Sequence, residues 1–100
     1  MSAALFDRLT AGNLDAITTD ELQAFAERCG ACGCRASVAR ELFPERPKGY
    51  RRAADALSHY AWNMLTARRC RLAGQIATAL QYEQIADRIY SELPDFAKGW

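Results

Sequence analysis

The apolar residues between positions 50 and 93 recur with the period of an α-helix, in two blocks separated by Gly74. At about 100° per residue, each block places its apolar side chains on one side of a helix. Gly74 and Pro94 are stop signals at the two block ends. The two blocks therefore predict an antiparallel helical hairpin, about 50–72 and 75–93. The apolar positions are Tyr50, Ala53, Ala54, Leu57, Tyr60, Ala61, Met64, Leu65 and Leu72, then Ile76, Ala79, Leu80, Tyr82, Ala86, Ile89, Tyr90 and Leu93.

The first half of the chain predicts two to three shorter helices that pack on this hairpin. Thr18 and Glu21 have the spacing of a capping box, which marks a helix start. Segment 44–49 contains two prolines, which lack an amide hydrogen, and so predicts a linker. No strand pattern is present, and the sequence predicts an all-α helical bundle with one domain over 1–100. The three shorter segments are about Ala3–Ala11, Thr18–Cys29 and Arg35–Phe43.

Two charged residues interrupt the apolar sides of the hairpin. Arg68 lies near the middle of the first apolar side, and Glu83 lies among the apolar residues of the second. With the turn near 74–75, the two residues are almost equally distant from it. A charge that leaves water is tolerated when it is paired and hydrogen-bonded. We therefore predict a structural Arg68–Glu83 ion pair at the helix contact, the alternative being a ligand-binding or catalytic carboxylate.

Charge is nearly balanced over the chain but unevenly distributed. Residues 1–34 carry two basic and five acidic groups, and residues 35–72 carry nine basic and three acidic groups. Residues 73–100 carry two basic and four acidic groups. Such a pattern favours internal pairing of the basic middle with its acidic flanks, and the alternative is a basic face for a polyanion. No apolar run reaches the roughly 18 residues of a membrane span, and Asp7 stands where a signal peptide is positive. We expect a cytoplasmic protein without a membrane partner.

Three of the four cysteines lie within a short glycine-containing segment, Cys29, Cys32 and Cys34. Thiolates are ligands for zinc and iron, and Cys70 is the candidate for a fourth ligand. The gap between Cys32 and Cys34 is one residue, and no second Cys-x-x-Cys pair exists. Metal binding at Cys29, Cys32, Cys34 and Cys70 is therefore an alternative to the simpler interpretation, in which the cysteines are reduced and do not bind metal.

The basic middle segment makes nucleic-acid binding a second alternative, with Arg35, Arg40, Arg51 and Arg52 as candidate contacts. The spacing of Ala26 and Gly30 also suits a helix-turn-helix, in which residues 35–40 would face the major groove. The remaining basic residues of the segment are Arg46, Lys48, Arg68, Arg69 and Arg71.

Binding of another protein is the function that the sequence favours. Trp62 lies off the main apolar side of its predicted helix, so it is either covered by the N-terminal helices or available to a partner. Trp100 presents the same choice, and Arg69 neighbours Trp62 on the helix surface. Phosphate-binding loops and paired-carboxylate motifs are absent, and the single histidine, His59, is predicted on a polar side. We expect a non-enzymatic interaction module, including self-association, without a resident cofactor.

Overall fold

The computed structural model describes residues 17–30 and 33–98, and within these ranges it contains helices and no strand. The all-α prediction is confirmed, whereas the predicted helix at about 3–11 lies outside the described residues. The elements are α1 (Thr19–Cys29), α2 (Ala36–Leu42), α3 (Tyr50–Leu72), α4 (Ile76–Ser91) and a 3₁₀ turn (Asp95–Ala97).

Helices α3 and α4 form the predicted hairpin and pack along each other. Gly74 adopts φ +79° between them, and the Gln75 amide donates to the Cys70 carbonyl at 2.8 Å, which closes the end of α3. Nearer the open end, the rings of Tyr60 and Tyr90 lie 5.6 Å apart between centroids. A turn near 74–75 predicts that residues equally distant from it lie opposite each other. Tyr60 and Tyr90 are each 15 residues from position 75, so this prediction is confirmed at the open end.

The core is built around α3, because α1, α2 and α4 each pack against it. Helix α1 contributes Leu22 and Phe25, and α2 contributes Val38 and Leu42. These side chains surround buried residues of α3 such as Leu57. The 3₁₀ turn returns to the same body, where the ring of Phe96 meets Phe43 edge to face at 5.3 Å.

The contact between α3 and α4 uses small residues on the α4 side. Ala79 and Ala86 are the fully buried residues of α4, and their small side chains let the two helix backbones approach closely. The prediction that the apolar residues of both helices are buried is wrong near the turn. There, Leu72, Ile76 and Leu80 are 82%, 47% and 46% exposed. Ala79 and Ala86 set which side of α4 faces α3, and this direction turns Ile76 and Leu80 outward.

The start of α1 is the capping box that the sequence predicts. The Thr18 hydroxyl accepts from the Glu21 amide at 3.1 Å, and the Thr18 amide donates to the Glu21 carboxylate at 3.2 Å. Two amides that the helix leaves without a backbone acceptor are satisfied in this way. The bonds fix where α1 begins and therefore how it enters the core.

The predicted Arg68–Glu83 ion pair is wrong. Glu83 accepts two hydrogen bonds from Arg71, one of them from Nη2 at 2.8 Å, while Arg68 donates to the carbonyl of Ile17. Arg71 comes three residues later on α3, which places it about 4.5 Å nearer the turn and about 60° around the helix. That position reaches Glu83, whereas Arg68 is directed towards the segment before α1. Glu83 is also partly exposed rather than buried at the contact.

Replacement of a central α3 side chain tests the core. We expect Leu57→Ala to lower the free energy of unfolding by about 2–5 kcal/mol, because Leu57 is fully buried and truncation leaves a cavity. Leu72→Ala is the matched control on the same helix, and its effect should stay below about 0.5 kcal/mol. Denaturant unfolding measures both, and equal losses would contradict this packing.

The corrected ion pair is tested by double-mutant cycles. The hydrogen bond from Arg71 lowers the pKa of Glu83, so its stabilisation is present above the ordinary value of 4.5 and disappears as pH falls through the lowered pKa. We expect Arg71→Gln and Glu83→Gln to be non-additive in unfolding experiments at neutral pH and additive in acid. Because both side chains are partly exposed to solvent, the coupling will be small. Coupling of Glu83→Gln to Arg68→Gln instead would restore the original prediction.

Candidate functional site

A groove opens where the start of α3 faces the end of α4, at the end of the hairpin remote from the turn. Its volume is about 440 Å³. We call it the open-end groove. Apolar groups form its floor, and charged or polar side chains form its rim. The floor consists of Ala53, Ala56, Ile89, Leu93 and Pro94, and the rim of Lys48, Arg52, His59 and Glu92.

The helix start beside the groove is unusually positive. Gly49 is the N-cap of α3 with φ +84°, so no side chain caps the helix, and its first turn contains no acidic residue. Arg51 and Arg52 occupy that turn instead. Cations at the positive end of a helix dipole are unfavourable, by about 0.3–1 kcal/mol each. An anion bound here would interact favourably with the helix dipole and with both guanidinium groups.

Six basic side chains between positions 35 and 52 are exposed, and two of them, Lys48 and Arg52, line the groove. Within the described ranges none of them forms an ion pair; the pairs found there are Arg28–Glu41 and Arg71–Glu83. Internal pairing of the basic segment is therefore found near the hairpin turn but not here. We call the six the basic end: Arg35, Arg40, Arg46, Lys48, Arg51 and Arg52.

The linker between α2 and α3 carries part of the basic end in a constrained backbone. Arg46 adopts φ +50°, which is the left-handed region that residues with a side chain rarely occupy. Such conformations persist where surrounding structure imposes them and are frequent at functional sites. The Arg46 amide donates to the Phe43 carbonyl at 3.0 Å, and the Tyr50 amide donates to Pro47 at 2.9 Å. The linker is thus a sequence of tight turns that holds Arg46 and Lys48 in place.

A second site lies where the α1–α2 connection meets α3. Cys29 and Cys34 are both buried, and the Cys34 thiol donates to the Cys29 sulfur with the two Sγ atoms 3.8 Å apart. We call these two residues the thiol pair. The hydrogen bond from Cys34 lowers the pKa of Cys29 against the opposing effect of burial. The same Cys34–Cys29 bond and burial raise the pKa of Cys34.

Three polar side chains of α3 hold this connection in place. Asp55 Oδ1 accepts from the Cys34 amide at 2.7 Å, and the Gly30 carbonyl accepts from Ser58 Oγ at 3.3 Å and Trp62 Nε1 at 3.2 Å. The sequence pattern predicted no role for Asp55 or Ser58. The signal was their helical spacing with Trp62, which puts all three within about 60° on one side of α3.

The predicted metal ligands are not all brought together. Cys70 lies eight residues beyond Trp62 on α3, about 12 Å along the axis, so it is remote from the connection that Trp62 holds. Cys32 lies outside the described residues. Among the residues that are described, no group of three metal-binding side chains is found. The four-cysteine site is therefore wrong in its inclusion of Cys70.

The predicted partner contacts also have defined positions. Trp62 is half-buried against the core with its indole N–H bound to Gly30, which is the covered arrangement. Arg69 donates from Nη2 to Gln23 Oε1 at 2.9 Å, and Trp100 lies outside the described residues. Neither Trp62 nor Arg69 lines the open-end groove.

The helix-turn-helix prediction is not supported by the packing. Helices α1 and α2 pack principally against α3 rather than against each other. Residues 30–35 connect them, whereas the motif uses a turn of about three to four residues. Arg35 and Arg40 remain exposed, but they are not on a recognition helix supported by α1.

Comparison of the chain with protein-family models, curated proteins and solved structures finds no match. Among the helices in the described ranges, none combines the length and apolar character that crossing a membrane requires.

Proposed function

We propose that this protein is a non-enzymatic interaction module that binds an acidic segment of a partner protein in the open-end groove. The observation that carries the proposal is the combination of an apolar floor with a rim on which two cations, Lys48 and Arg52, outnumber one carboxylate, Glu92. Lys48 and Arg52 stand at this rim without an ion pair among the described residues. Apolar burial supplies affinity, and complementary charge supplies orientation and a faster encounter.

The dimensions of the groove favour a short segment over a broad protein surface. Its 440 Å³ lies at the lower end of the range of ligand pockets. The floor residues Ala53 and Ala56 are small, so apolar side chains of a partner can enter between α3 and α4. Carboxylates that flank those side chains would then meet Arg52 and the positive start of α3.

A pair of matched peptides tests the proposal. One is built from leucine and glutamate, and the other has lysine in place of every glutamate. We expect the acidic peptide to shift the amide NMR resonances of Ala56 and Ile89, and the basic peptide to leave them unchanged. Arg52→Gln should weaken binding about fivefold, which corresponds to the loss of about 1 kcal/mol for one exposed ion pair.

The control for this experiment is Arg69→Gln. Arg69 is also an exposed arginine on α3, but it lies 17 residues from Arg52, about 25 Å along the helix. This variant should bind the acidic peptide with unchanged affinity. Equal binding of the two peptides, or an equal loss in both variants, would contradict the groove as the binding site.

Nucleic-acid binding is the second candidate function, and the six exposed cations of the basic end, none of which is ion-paired to another described residue, favour it. Phosphates are neutralised by several basic groups on one surface, and each contact makes the affinity more dependent on salt. The near-neutral charge of the whole chain weighs against strong binding, with 13 basic and 12 acidic residues. Because no recognition helix is supported, contacts would be to the phosphate backbone and not specific for sequence.

A labelled DNA duplex distinguishes this candidate. If the basic end binds phosphates, the double variant Arg51→Gln/Arg52→Gln should reduce the slope of log affinity against log salt by about 2, one for each cation removed. The double variant Arg69→Gln/Arg88→Gln removes the same charge elsewhere and should leave the slope unchanged. A lack of binding at low salt would exclude this function.

A further inference from the structure

We propose that Cys29 and Cys34 form a reversible dithiol–disulfide site that responds to hydrogen peroxide. Their sulfur atoms are 3.8 Å apart, against about 2.05 Å in a disulfide, so closure requires an approach of about 1.8 Å. Neither residue is in a disulfide in this structure. The proposal is independent of the function proposed for the open-end groove.

The backbone between the two cysteines suits this closure. Gly30 and Gly33 have φ values of +94° and +125°, conformations that glycine adopts without strain. The Arg35 amide donates to the Cys29 carbonyl at 3.1 Å, which draws the two ends of the connection together. Asp55 holds the Cys34 amide at the same time. The two sulfurs are thus held as neighbours by bonds that do not involve them.

The electrostatic surroundings assign different roles to the two thiols. Cys29 accepts a hydrogen bond from Cys34, and this bond lowers the pKa of Cys29, so Cys29 is the attacking sulfur. Cys34 retains its proton until the second step. Cys29 is fully buried and Cys34 is 7% exposed, which favours a small oxidant over a bulky disulfide.

The chemistry is a two-electron oxidation in two steps. The Cys29 thiolate attacks one oxygen of hydrogen peroxide, the O–O bond breaks, and the hydroxide released takes a proton to become water. Cys34 then loses its proton to solvent and attacks the sulfenic sulfur of Cys29. The S–O bond breaks, the S–S bond forms, and the second hydroxide leaves as water after protonation. A dithiol such as dithiothreitol reverses the change by thiol–disulfide exchange.

Closure of the disulfide is coupled to α3 through Gly30. The Gly30 carbonyl follows Cys29 directly and accepts from both Ser58 and Trp62. Movement of the Cys29 sulfur towards Cys34 therefore alters the surroundings of the Trp62 indole. Trp62 fluorescence is a local reporter of the redox state once Trp100 is replaced.

The experiment uses the full chain with Cys32→Ser, Cys70→Ser and Trp100→Phe, which leaves the thiol pair and one tryptophan. After peroxide treatment of the folded protein and removal of the peroxide, we expect a mass decrease of about 2 Da and a shift in Trp62 emission. When the treated protein is then unfolded in the presence of an alkylating agent, neither cysteine should be alkylated. Dithiothreitol should restore all three properties. The same chain in denaturant should form the bond at least about tenfold more slowly, because the thiol pair is then no longer held together.

Two further variants separate a specific site from general thiol oxidation. Adding Cys34→Ser should abolish the mass decrease and leave a sulfenic acid that dimedone traps at Cys29. Ser58→Ala should slow disulfide formation several-fold without preventing it, because it removes one of the two hydrogen bonds that hold the Gly30 carbonyl beside Cys29. Two alkylatable thiols after peroxide treatment of the folded chain would overturn the proposal. An equal rate of disulfide formation in denaturant would overturn it as well.

Discussion

Burial of apolar side chains around α3 is the constraint on which the rest of the structure depends. Helices α1, α2 and α4 are held by α3, and the described contacts between α1 and α2 are few by comparison. The position of each helix is therefore set by which side of α3 it covers. Leu57, Ala61 and Leu65 lie at the centre of this arrangement and are fully buried. Folding of α3 is consequently inseparable from folding of the elements that surround it.

This arrangement distributes the polar chemistry along α3. Arg51 and Arg52 lie at its start, beside the open-end groove, while Asp55, Ser58 and Trp62 follow along the side that meets the α1–α2 connection. Further along, its remaining cations bond to the segment before α1, to α1 and to α4. One helix thus provides the core, a wall of the groove and the anchors of the connection. Arg51 and Arg52, at the start of α3, are exposed and form no ion pair with another described residue.

Much of this fold was predictable because its signals are local. The capping box at Thr18 and the stops at Gly74 and Pro94 depend on neighbouring residues, and each is found where the sequence places it. The bounds of α3 were predicted correctly, and α4 is slightly shorter than expected. Helical periodicity also indicated that residues 50–93 form two packed helices. These features require no knowledge of distant contacts.

The errors arose where two distant elements had to be oriented relative to each other. Axial distance from the turn suggested Arg68 as the partner of Glu83, but rotation about α3 favours Arg71. The side of α4 that faces α3 is likewise determined by its alanines and not by its larger apolar residues. The open-end groove is formed by the linker, the start of α3 and the end of α4. These segments are distant in the sequence, so no single segment indicates the groove.

The alanines in the contact between α3 and α4 have a consequence for how the groove behaves. Ala79 and Ala86 are the fully buried residues of α4, and nearer the groove Ile89 and Tyr90 are only partly buried against the core. Local opening costs least where few large side chains are buried. The α4 side of the groove presents Ile89, whose side chain can change rotamer, whereas the α3 side presents Ala53 and Ala56, which have no rotamers, so the width of the groove can adjust to its occupant from the α4 side while the wall formed by α3 stays fixed.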